Sequence, residues 1–400
     1  MFDAWHQHSW DANDTVLVND PAADVDVGGY LGLLPASDLS PTWYAQRINA
    51  NLGPQEQDAA VKAAAHANTP GVTHLDALGR PFLTIADNGA AGRYATRVEL
   101  DIQGLQRAVS DALDRKVMVY DYHMLGGSIH KSGMEAGQRW NLDDVTGKTI
   151  RAWDSRGHNH RNEYDALRRL TGLFVQGTDT VNSDPRTLTE VQYHQIVYGE
   201  GQPDDAMLNL RTRAYSTSDT AGVVTHLALD PVTGLPQAYD FKGNALGVQR
   251  QFIEDHQLLP NWSAAPVLGS TFIGTTQYDA LNRPTAATTP DGSTTRTTYN
   301  TANMLETVSI NLAGAAAQTP FITNIDYDAQ GRRTLIDYGN GARTRYDYDP
   351  YTARLTRVLT RRNPAGFPDD CPAPQDTDWP GCQIQNLLYT YDPVGNVTAV

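Results

Sequence analysis

The chain contains Tyr278-Asp-Ala-Leu-Asn-Arg-Pro284, Tyr327-Asp-Ala-Gln-Gly-Arg-Arg333 and Tyr391-Asp-Pro-Val-Gly-Asn-Val397. In each stretch an aromatic residue and Asp are followed, three residues after the Asp, by Gly or Asn. A type I turn favours Asp at its first position, accepts Pro at its second and favours Gly at its fourth. Asn is the next most tolerant residue at positive φ. The pattern therefore predicts a hairpin turn that Asp opens and Gly or Asn closes.

The turn recurs along the chain in regular steps. Asp144, Asp154 and Asp165 are separated by 10 and 11 residues, and Asp328 and Asp349 by 21. A strand and its turn therefore occupy about 10–11 residues, which leaves strands of six or seven residues, roughly 20 Å long. We predict that nine aspartates cap such turns and have a structural rather than a catalytic role. They are Asp76, Asp144, Asp154, Asp165, Asp240, Asp279, Asp328, Asp349 and Asp392.

The segments between the turns have strand composition. Thr294–Tyr299 and Leu355–Arg361, for example, are rich in β-branched and aromatic residues. A single hairpin is not stable alone in water, so successive hairpins must pair edge to edge, and a long twisted sheet has to curl. The sequence predicts a mainly β protein, in which tandem hairpins form a long curved, spiralling sheet with short helical decorations.

The repeat divides the chain into four regions. Residues 1–70 lack it and are predicted to hold short helices, one over Gly53–Ala67 with Pro54 at its start and another over Pro41–Asn49. Residues 71–175 are predicted as a first repeat region and residues 176–213 as an insertion, with one or two helical turns at Pro203–Arg211. Residues 214–400 are a second repeat region, which we expect to continue beyond Val400 and which includes a Pro-rich loop at 363–383.

Charge and hydropathy argue against two kinds of partner. The net charge is −15, from 46 acidic and 31 basic residues without a block of either sign. Nucleic acid or an anionic membrane would require clustered Lys and Arg, so neither is expected as a partner. No apolar run approaches the ~18 residues of a membrane span, and the first residues do not resemble a signal peptide. We expect a segment of a longer protein, no membrane insertion by it, and a secreted or cell-surface location.

Few residue patterns point to chemistry. Gly-x-Ser-x-Gly, a P-loop and His-Glu-x-x-His are all missing from the sequence, and no carboxylate pair stands apart from the turn set. His6 with His8, and His158 with His160, alternate as two ligands on one strand face would, but no third ligand is evident. The repeated Asp residues lack the spacing of calcium loops. We predict no enzymatic activity, no cofactor and no metal site.

The two cysteines flank part of the Pro-rich loop. Cys371 and Cys382 could close it with a disulfide in an oxidising compartment, or stay reduced. The pair does not form a metal motif, because no second Cys or His pair stands nearby.

The Tyr-Asp units resemble the YD repeats of the Rhs family, which includes bacterial toxin shells. Other runs look like the B component of insecticidal toxin complexes and related RHS-repeat proteins, and the likeness spans nearly the whole chain. These runs are Trp10–Leu17, Pro41–Arg47, His74–Phe82, Met134–Trp140 and Ile150–His158. The chain departs from the pattern at His123, which replaces a turn Asp and is expected to weaken that cap.

The resemblance implies a structural role. It suggests a segment of a hollow shell that encapsulates a C-terminal toxic domain and helps to deliver it. The implied partners are the rest of the Rhs shell or a C-component-like protein with its enclosed toxin, and a translocation pore component. The alternative is a cell-surface or wall-associated protein for adhesion or carbohydrate binding, since YD repeats also occur in such proteins and tyrosine-rich faces can stack on sugars.

Overall fold

The computed structural model describes residues 3–25, 27–178, 181, 183–230, 232–362, 366 and 382–400. Strands dominate these residues. They are β1 (His6–Ser9), β2 (Gly71–Leu75), β3 (Pro81–Asp87), β4 (Arg93–Leu100), β5 (Gln106–Ser110), β6 (Lys116–Tyr122), β7 (Ser128–Gly133), β8 (Gly137–Asp143), β9 (Thr149–Asp154), β10 (His158–Tyr164), β11 (Leu170–Gly177), β12 (Val191–Tyr198), β13 (Ala214–Asp219), β14 (Gly222–Thr225), β15 (Ala228–Leu229), β16 (Pro236–Gln237), β17 (Gly247–Ile253), β18 (Leu268–Tyr278), β19 (Pro284–Thr288), β20 (Thr294–Tyr299), β21 (Leu305–Asn311), β22 (Thr319–Tyr327), β23 (Arg333–Tyr338), β24 (Arg343–Tyr348), β25 (Leu355–Arg362), β26 (Cys382–Leu388), β27 (Thr390–Tyr391) and β28 (Val397–Ala399).

The α-helices are short and lie in the first 70 residues. They are α1 (Gly28–Leu31), α2 (Ala36–Leu39), α3 (Trp43–Arg47) and α4 (Pro54–Ala64), and 3-10 turns occur at Pro21–Ala23, Gly89–Ala91, Pro185–Thr187 and Trp262–Ala264. Both helices predicted in this region are confirmed by α3 and α4, each shorter than predicted. Pro203–Arg211 forms turns instead of a helix, with one i→i+4 bond from Leu208 N to Asp204 O. No helix in the described ranges has the length and apolar character of a membrane span.

Among the residues that the structure describes, twenty-four strands form one antiparallel sheet. In the pairs whose register is known, a strand pairs with the next one along the chain. Among these pairs the exception is β14, which pairs with β17, while β15 and β16, which lie between them in the chain, form a separate two-stranded hairpin. β27 and β28 form another hairpin. The predicted mainly β fold of tandem hairpins is confirmed. β12, which pairs with β11 and β13, shows that part of the segment predicted as an insertion at 176–213 belongs to the sheet.

The pairing register explains why the repeat needs both an aromatic residue and Asp. At the turn between β20 and β21 the register shifts between Thr298 and Tyr299, and Tyr299 then pairs with Leu305. The same shift occurs at the turns after Tyr278, Tyr327 and Tyr348. A bulge of this kind accommodates a turn closed by a left-handed residue. The strand thus ends at the tyrosine, and Asp begins the return.

The structure divides into two compact units. The first comprises Met1–Tyr120, Gly133–Glu135 and Ala342–Val400. In this unit α4 packs against the β27–β28 hairpin, buries Ala59, Ala60 and Ala63, and holds Lys62 Nζ 3.0 Å from Thr398 O. This short amphipathic helix therefore covers the last described hairpin with its alanine face.

The second unit comprises Asp121–Ser132 and Ala136–Gly341. It contains a small apolar cluster of Leu208, Leu210 and Ala238. Leu210 is the only large side chain below 2% exposure among the described residues. Most strand side chains are half-buried instead. Specific contacts between strands and turns must therefore contribute much of the stability that a thick apolar core supplies in other domains.

Candidate functional site

The Asp279 turn shows how the repeat works. Asp279 N donates to Arg283 O at 3.0 Å, and Asn282 N donates to Asp279 O at 3.1 Å. The carboxylate Oδ1 accepts from Leu281 N at 2.8 Å and from Arg283 N at 3.0 Å. Asn282 has a φ of 63°, the left-handed conformation that the sequence pattern requires at this position. One side chain thus satisfies two backbone donors that the tight turn leaves unpaired.

Arginine at the fifth position completes the turn. Arg283 Nε and Nη2 lie 2.7 and 2.6 Å from Asp279 Oδ2. The hydrogen bond from the Arg283 side chain is the main reason that the pKa of Asp279 is lowered. Asn396 Nδ2 takes the same place on Asp392, at 2.9 Å. The matching Asp–Arg pairs are Asp76–Arg80, Asp111–Arg115, Asp165–Arg169 and Asp328–Arg332.

This fifth position of the turn was not predicted from the sequence to have a role. Its signal is visible in the opening motifs, where Arg or Asn directly follows the residue that closes the turn. The capping residues Asp101 and Asp111 were also missed, although the predicted caps Asp76 and Asp144 likewise follow no aromatic residue. Asp101-Ile-Gln-Gly104 nevertheless has the Asp-x-x-Gly pattern, and its carboxylate accepts from Gln103 N and Leu105 N.

Tyrosine hydroxyls connect several turns to the preceding turn of the same kind. Tyr299 Oη donates to Pro284 O at 2.9 Å and Tyr327 Oη donates to Leu305 O at 2.6 Å. Pro284 and Leu305 each begin the strand that follows the preceding turn of the same kind. The bonds from Tyr164 to Thr149 O and from Tyr391 to Leu355 O repeat this arrangement. The aromatic residue of the motif is therefore a cross-link between repeats.

The arginines add a second connection between turns. The Arg283 guanidinium lies 4.3 Å from the ring centre of Tyr299, and its Nη1 donates to Asn303 Oδ1 at 3.0 Å. Arg354 donates to the carbonyl of Asp392 at 2.7 Å. We call the linked turns the tyrosine ladder. It comprises the turns opened by Asp165, Asp240, Asn300, Asp328 and Asp392, each with the tyrosine before it.

All nine aspartates predicted as turn caps lie at turns and accept backbone N–H groups. Asp154 lies at the turn between β9 and β10, at the opposite edge of the sheet from the turns of Asp144 and Asp165. At the position where His replaces Asp, His123 Nδ1 accepts from Leu125 N at 3.0 Å. This imidazole nitrogen replaces one carboxylate bond, which agrees with the weaker cap expected there. The purely structural role of the nine aspartates stays a prediction that the variants below test.

The histidine pairs have local partners. His6 Nδ1 lies 3.3 Å from Asp3 Oδ2, and His8 stacks on Trp10. His158 Nδ1 lies 3.1 Å from Asp154 Oδ2. Burial lowers the pKa of the neighbouring His160 imidazole. Among the described residues, no group of three His, Cys, Asp or Glu side chains has a geometry suited to a metal ion. The proposed pair of Cys371 with Cys382 lies outside the described residues, since Cys371 is not among them.

A cavity of about 1050 Å³ lies in the first unit, between the N-terminal helices and the last turns. Its polar lining includes Arg47, whose Nε is 2.6 Å from Glu56, and Arg354, which donates to backbone carbonyls. Tyr391 Oη, also in the lining, donates to Leu355 O. These groups serve packing contacts, and none forms a nucleophile and base pair with another.

The linked turns and the meandering sheet define a class of protein built from β-hairpin repeats. The RHS repeat family model matches residues 278–316 of the chain. The chain is similar in sequence to two toxin subunits of Yersinia entomophaga. YenC2 is 26% identical over 365 residues, which are 84% of this chain and 35% of YenC2. YenC1 is 22% identical over 355 residues, which are 84% of this chain and 34% of YenC1.

Solved structures share the fold. The alignment with the crystal structure of TcdB2-TccC3-Cdc42 covers 99% of this chain and 16% of the solved chain, with a TM-score of 0.75 and 20% identity. The alignment with the Tc holotoxin pore of Photorhabdus luminescens likewise covers 99% of this chain and 16% of the solved chain, with a TM-score of 0.75 and 21% identity. This chain spans about a third of the length of the curated relatives it matches, YenC2 and YenC1.

Proposed function

We propose that this chain is a structural segment of an RHS shell that encapsulates a C-terminal toxic domain and helps to deliver it. The observation that carries the proposal is the alignment of 99% of the chain with TcdB2-TccC3 at a TM-score of 0.75. The toxin subunits that are similar in sequence support it independently, because the likeness to YenC2 covers 84% of the chain.

The architecture suits a wall. In the pairs of known register, strands of the main sheet other than β14 and β17 are bonded to the next strand along the chain, so hairpins can be added without a change of topology. The tyrosine ladder holds neighbouring turns together by hydrogen bonds that do not depend on a thick core. A sheet stabilised in this way can remain one layer thick, and a long twisted layer has to curl.

The proposed partners follow from the same comparison. One matched structure is described as a holotoxin pore, and others contain TcdB2 together with TccC3. We infer that this segment acts beside the rest of an RHS shell or a C-component-like protein, with a translocation pore component, outside the cell that makes it. We also place any catalysis in the enclosed toxic region; in this segment the turn carboxylates, such as that of Asp279, accept backbone N–H groups.

Sugar binding through a tyrosine-rich face has less support. The ladder tyrosines Tyr164, Tyr239, Tyr299, Tyr327 and Tyr391 are only partly exposed, and each donates its hydroxyl to a backbone carbonyl. An arginine or lysine also lies over most of these rings. A ring that is engaged at its hydroxyl and at one face offers little surface to a sugar.

Electron microscopy of the full-length protein tests the proposal. We expect a hollow particle with unresolved material inside, and the same particle without that material when the C-terminal region is deleted. The enclosed region should resist added protease in the intact particle and become sensitive after acid unfolding. A solid particle, an open rod, or a C-terminal region that is digested at once in the intact protein would reject encapsulation.

A further inference from the structure

A small groove lies in the first unit, beside the first four strands of the sheet. Its volume is about 330 Å³. Ligand-binding sites range over about 300–1,000 Å³, so this groove suits a ligand of one or two rings. Its lining includes His8, Trp10, Asn68, Ile85, Asp87 and Arg93, and we call it the Trp10 groove. The larger cavity of the same unit has a different lining.

Strand register forms the floor of the Trp10 groove. His8 of β1 is the partner of Val72 in β2, and Val72 is the partner of Ile85 in β3. Partners in adjacent strands project from the same face of a sheet, so these three side chains lie in one row. Asp87 follows Ile85 by two residues and projects from the same face, opposite Arg93 of β4. The floor therefore ends at one charged pair.

Trp10 gives the groove an aromatic wall. It directly follows β1 and is 42% exposed. Its ring stacks on that of His8, with ring centres 5.5 Å apart and an angle of 20° between the rings. The stack fixes the orientation of the indole before any ligand arrives, which lowers the entropic cost of binding. A fixed and partly exposed indole is a surface on which the C–H face of a sugar ring can pack.

The segment before β2 is held in place by the buried Asp14. Asn68 N donates to Asp14 O, and Thr69 N donates to Asp14 Oδ1, both at 2.9 Å. Asn68 has a φ of 59°, and its side chain is exposed. Its amide can donate and accept hydrogen bonds at the same time. The lining thus has a second fixed polar position, which does not depend on the strands.

Asp87 and Arg93 supply acceptors and donors without net charge. Arg93 Nε lies 2.8 Å from Asp87 Oδ2, and Gly89 N donates to Asp87 Oδ1 at 2.9 Å. The Arg93 side chain is 76% exposed, so its terminal N–H groups remain accessible to a ligand. Because the two charges cancel, the groove favours neither an anion nor a cation. It suits a neutral ligand whose hydroxyl groups both donate and accept.

We propose that the Trp10 groove binds one or two rings of a neutral saccharide. The apolar face of the sugar packs on Trp10, and its hydroxyl groups bond to the Asn68 amide, the Asp87 carboxylate and the Arg93 guanidinium. The tyrosine ladder lacks this combination, because its hydroxyls are already engaged, as in the bond from Tyr299 to Pro284 O. Saccharide binding is a further activity of the chain and does not depend on the proposed shell.

A glycan array tests the proposal with the full-length protein. The array carries neutral oligosaccharides of glucose, galactose, mannose and N-acetylglucosamine, together with sialylated and sulfated glycans. We expect saturable binding to at least one neutral oligosaccharide, and competition by the same oligosaccharide in free solution. No binding to the neutral set, or binding confined to the sialylated and sulfated glycans, overturns the proposal.

Variants of the full-length protein decide whether the Trp10 groove is the site. Trp10→Ala should weaken binding of the neutral oligosaccharide about tenfold, because it removes the aromatic wall. Arg93→Met should also weaken it, and it decides the matter if Trp10→Ala does not fold, since Arg93 is 76% exposed. Trp5→Ala is the matched control, because Trp5 is 54% exposed and lies outside the lining. Unchanged binding by the groove variants, or an equal loss in Trp5→Ala, overturns the proposal.

The shell and the saccharide site fail separately. A hollow particle that binds no neutral oligosaccharide through Trp10 would retain encapsulation and reject the saccharide site. Binding that depends on Trp10 in a protein without a hollow particle would retain the site and reject encapsulation.

Discussion

Asn13 Nδ2 donates a hydrogen bond to Asp392 Oδ2 at 2.9 Å across 379 residues of sequence, and both side chains are buried. Asp392 opens the last turn of the tyrosine ladder, whereas Asn13 belongs to the segment without repeats. Asp14, next to Asn13, accepts from Thr69 N and Thr69 Oγ1. The N-terminal segment is thus attached both to the end of the ladder and to the residues just before β2.

Replacement of Asp392 should be costly because its carboxylate serves four donors. Oδ1 accepts from Gly395 N and Asn396 N, and Oδ2 accepts from the side chains of Asn396 and Asn13. We expect Asp392→Ala to lower the free energy of unfolding by about 1–3 kcal/mol, measured by urea denaturation. Asp392→Asn should recover little of the lost stability. Its NH₂ group would take the place of one carboxylate oxygen and would face hydrogen-bond donors from which it cannot accept. Full stability of the Asn variant would contradict this account.

The contribution of one ladder hydrogen bond to stability can be measured by removing a single oxygen atom. Tyr327→Phe removes the hydroxyl that donates to Leu305 O and keeps the ring. We expect a loss of about 0.5–1.5 kcal/mol in the free energy of unfolding. Tyr351→Phe is the matched control, because Tyr351 is 95% exposed. If both variants had the same stability as the parent protein, the hydroxyl would have no role in linking repeats.

The left-handed backbone conformation at the end of each turn should decide which residue types that position tolerates. Gly79 has a φ of 74°, and a Cβ added there would meet no atom within 4 Å. Asn282 and Asn303 hold the same position at φ values of 63° and 66°. We expect Gly79→Asn to be nearly neutral and Gly79→Val to lower the free energy of unfolding by about 1–2 kcal/mol. Calorimetry that ranked Val above Asn would refute this explanation.

Acid should weaken the connections between turns. Glu200 has its pKa lowered from 4.5 to about 2, first by the side-chain hydrogen bond from Arg169. A carboxyl with a lower pKa in the folded state stabilises that state above its unfolded pKa and ceases to do so as the pH falls through its folded pKa. Glu200→Gln should therefore lower Tm at pH 7, and this difference should vanish between pH 4.5 and 2. A difference independent of pH would show that the Arg169 ion pair is not its cause.

The strand and turn pattern was accessible from the sequence because it is local. Asp, Gly and Asn have turn preferences that act within five residues, so Asp279 and Asn282 were assigned their places without knowledge of any neighbour. The helix α4 was equally accessible, from Pro54 at its start and the alanines that follow. Where the pattern is weakened, as at β12, sequence reasoning took a strand of the sheet for part of an insertion.

The roles of the motif tyrosine and arginine could not be predicted from the sequence in this way. Tyr299 donates to the carbonyl of Pro284, 15 residues earlier, and that carbonyl is available only after the intervening strands have paired. Arg283 likewise contacts both its own Asp279 and Tyr299 of the next turn. The motif shows that these residue types recur, but the partner of each depends on the register of the sheet.

The sequence by itself determined the unit of this protein, a strand and a turn of about 10–11 residues with Asp at the start and a left-handed residue at the end. Only the tertiary structure decided how the units are joined. Strand pairing places alternate turns at the same edge, brings tyrosine to the preceding repeat, and brings Asn13 to Asp392. Turn preference is a property of neighbouring residues, whereas each of these contacts requires backbone groups that only the paired sheet brings within hydrogen-bonding distance.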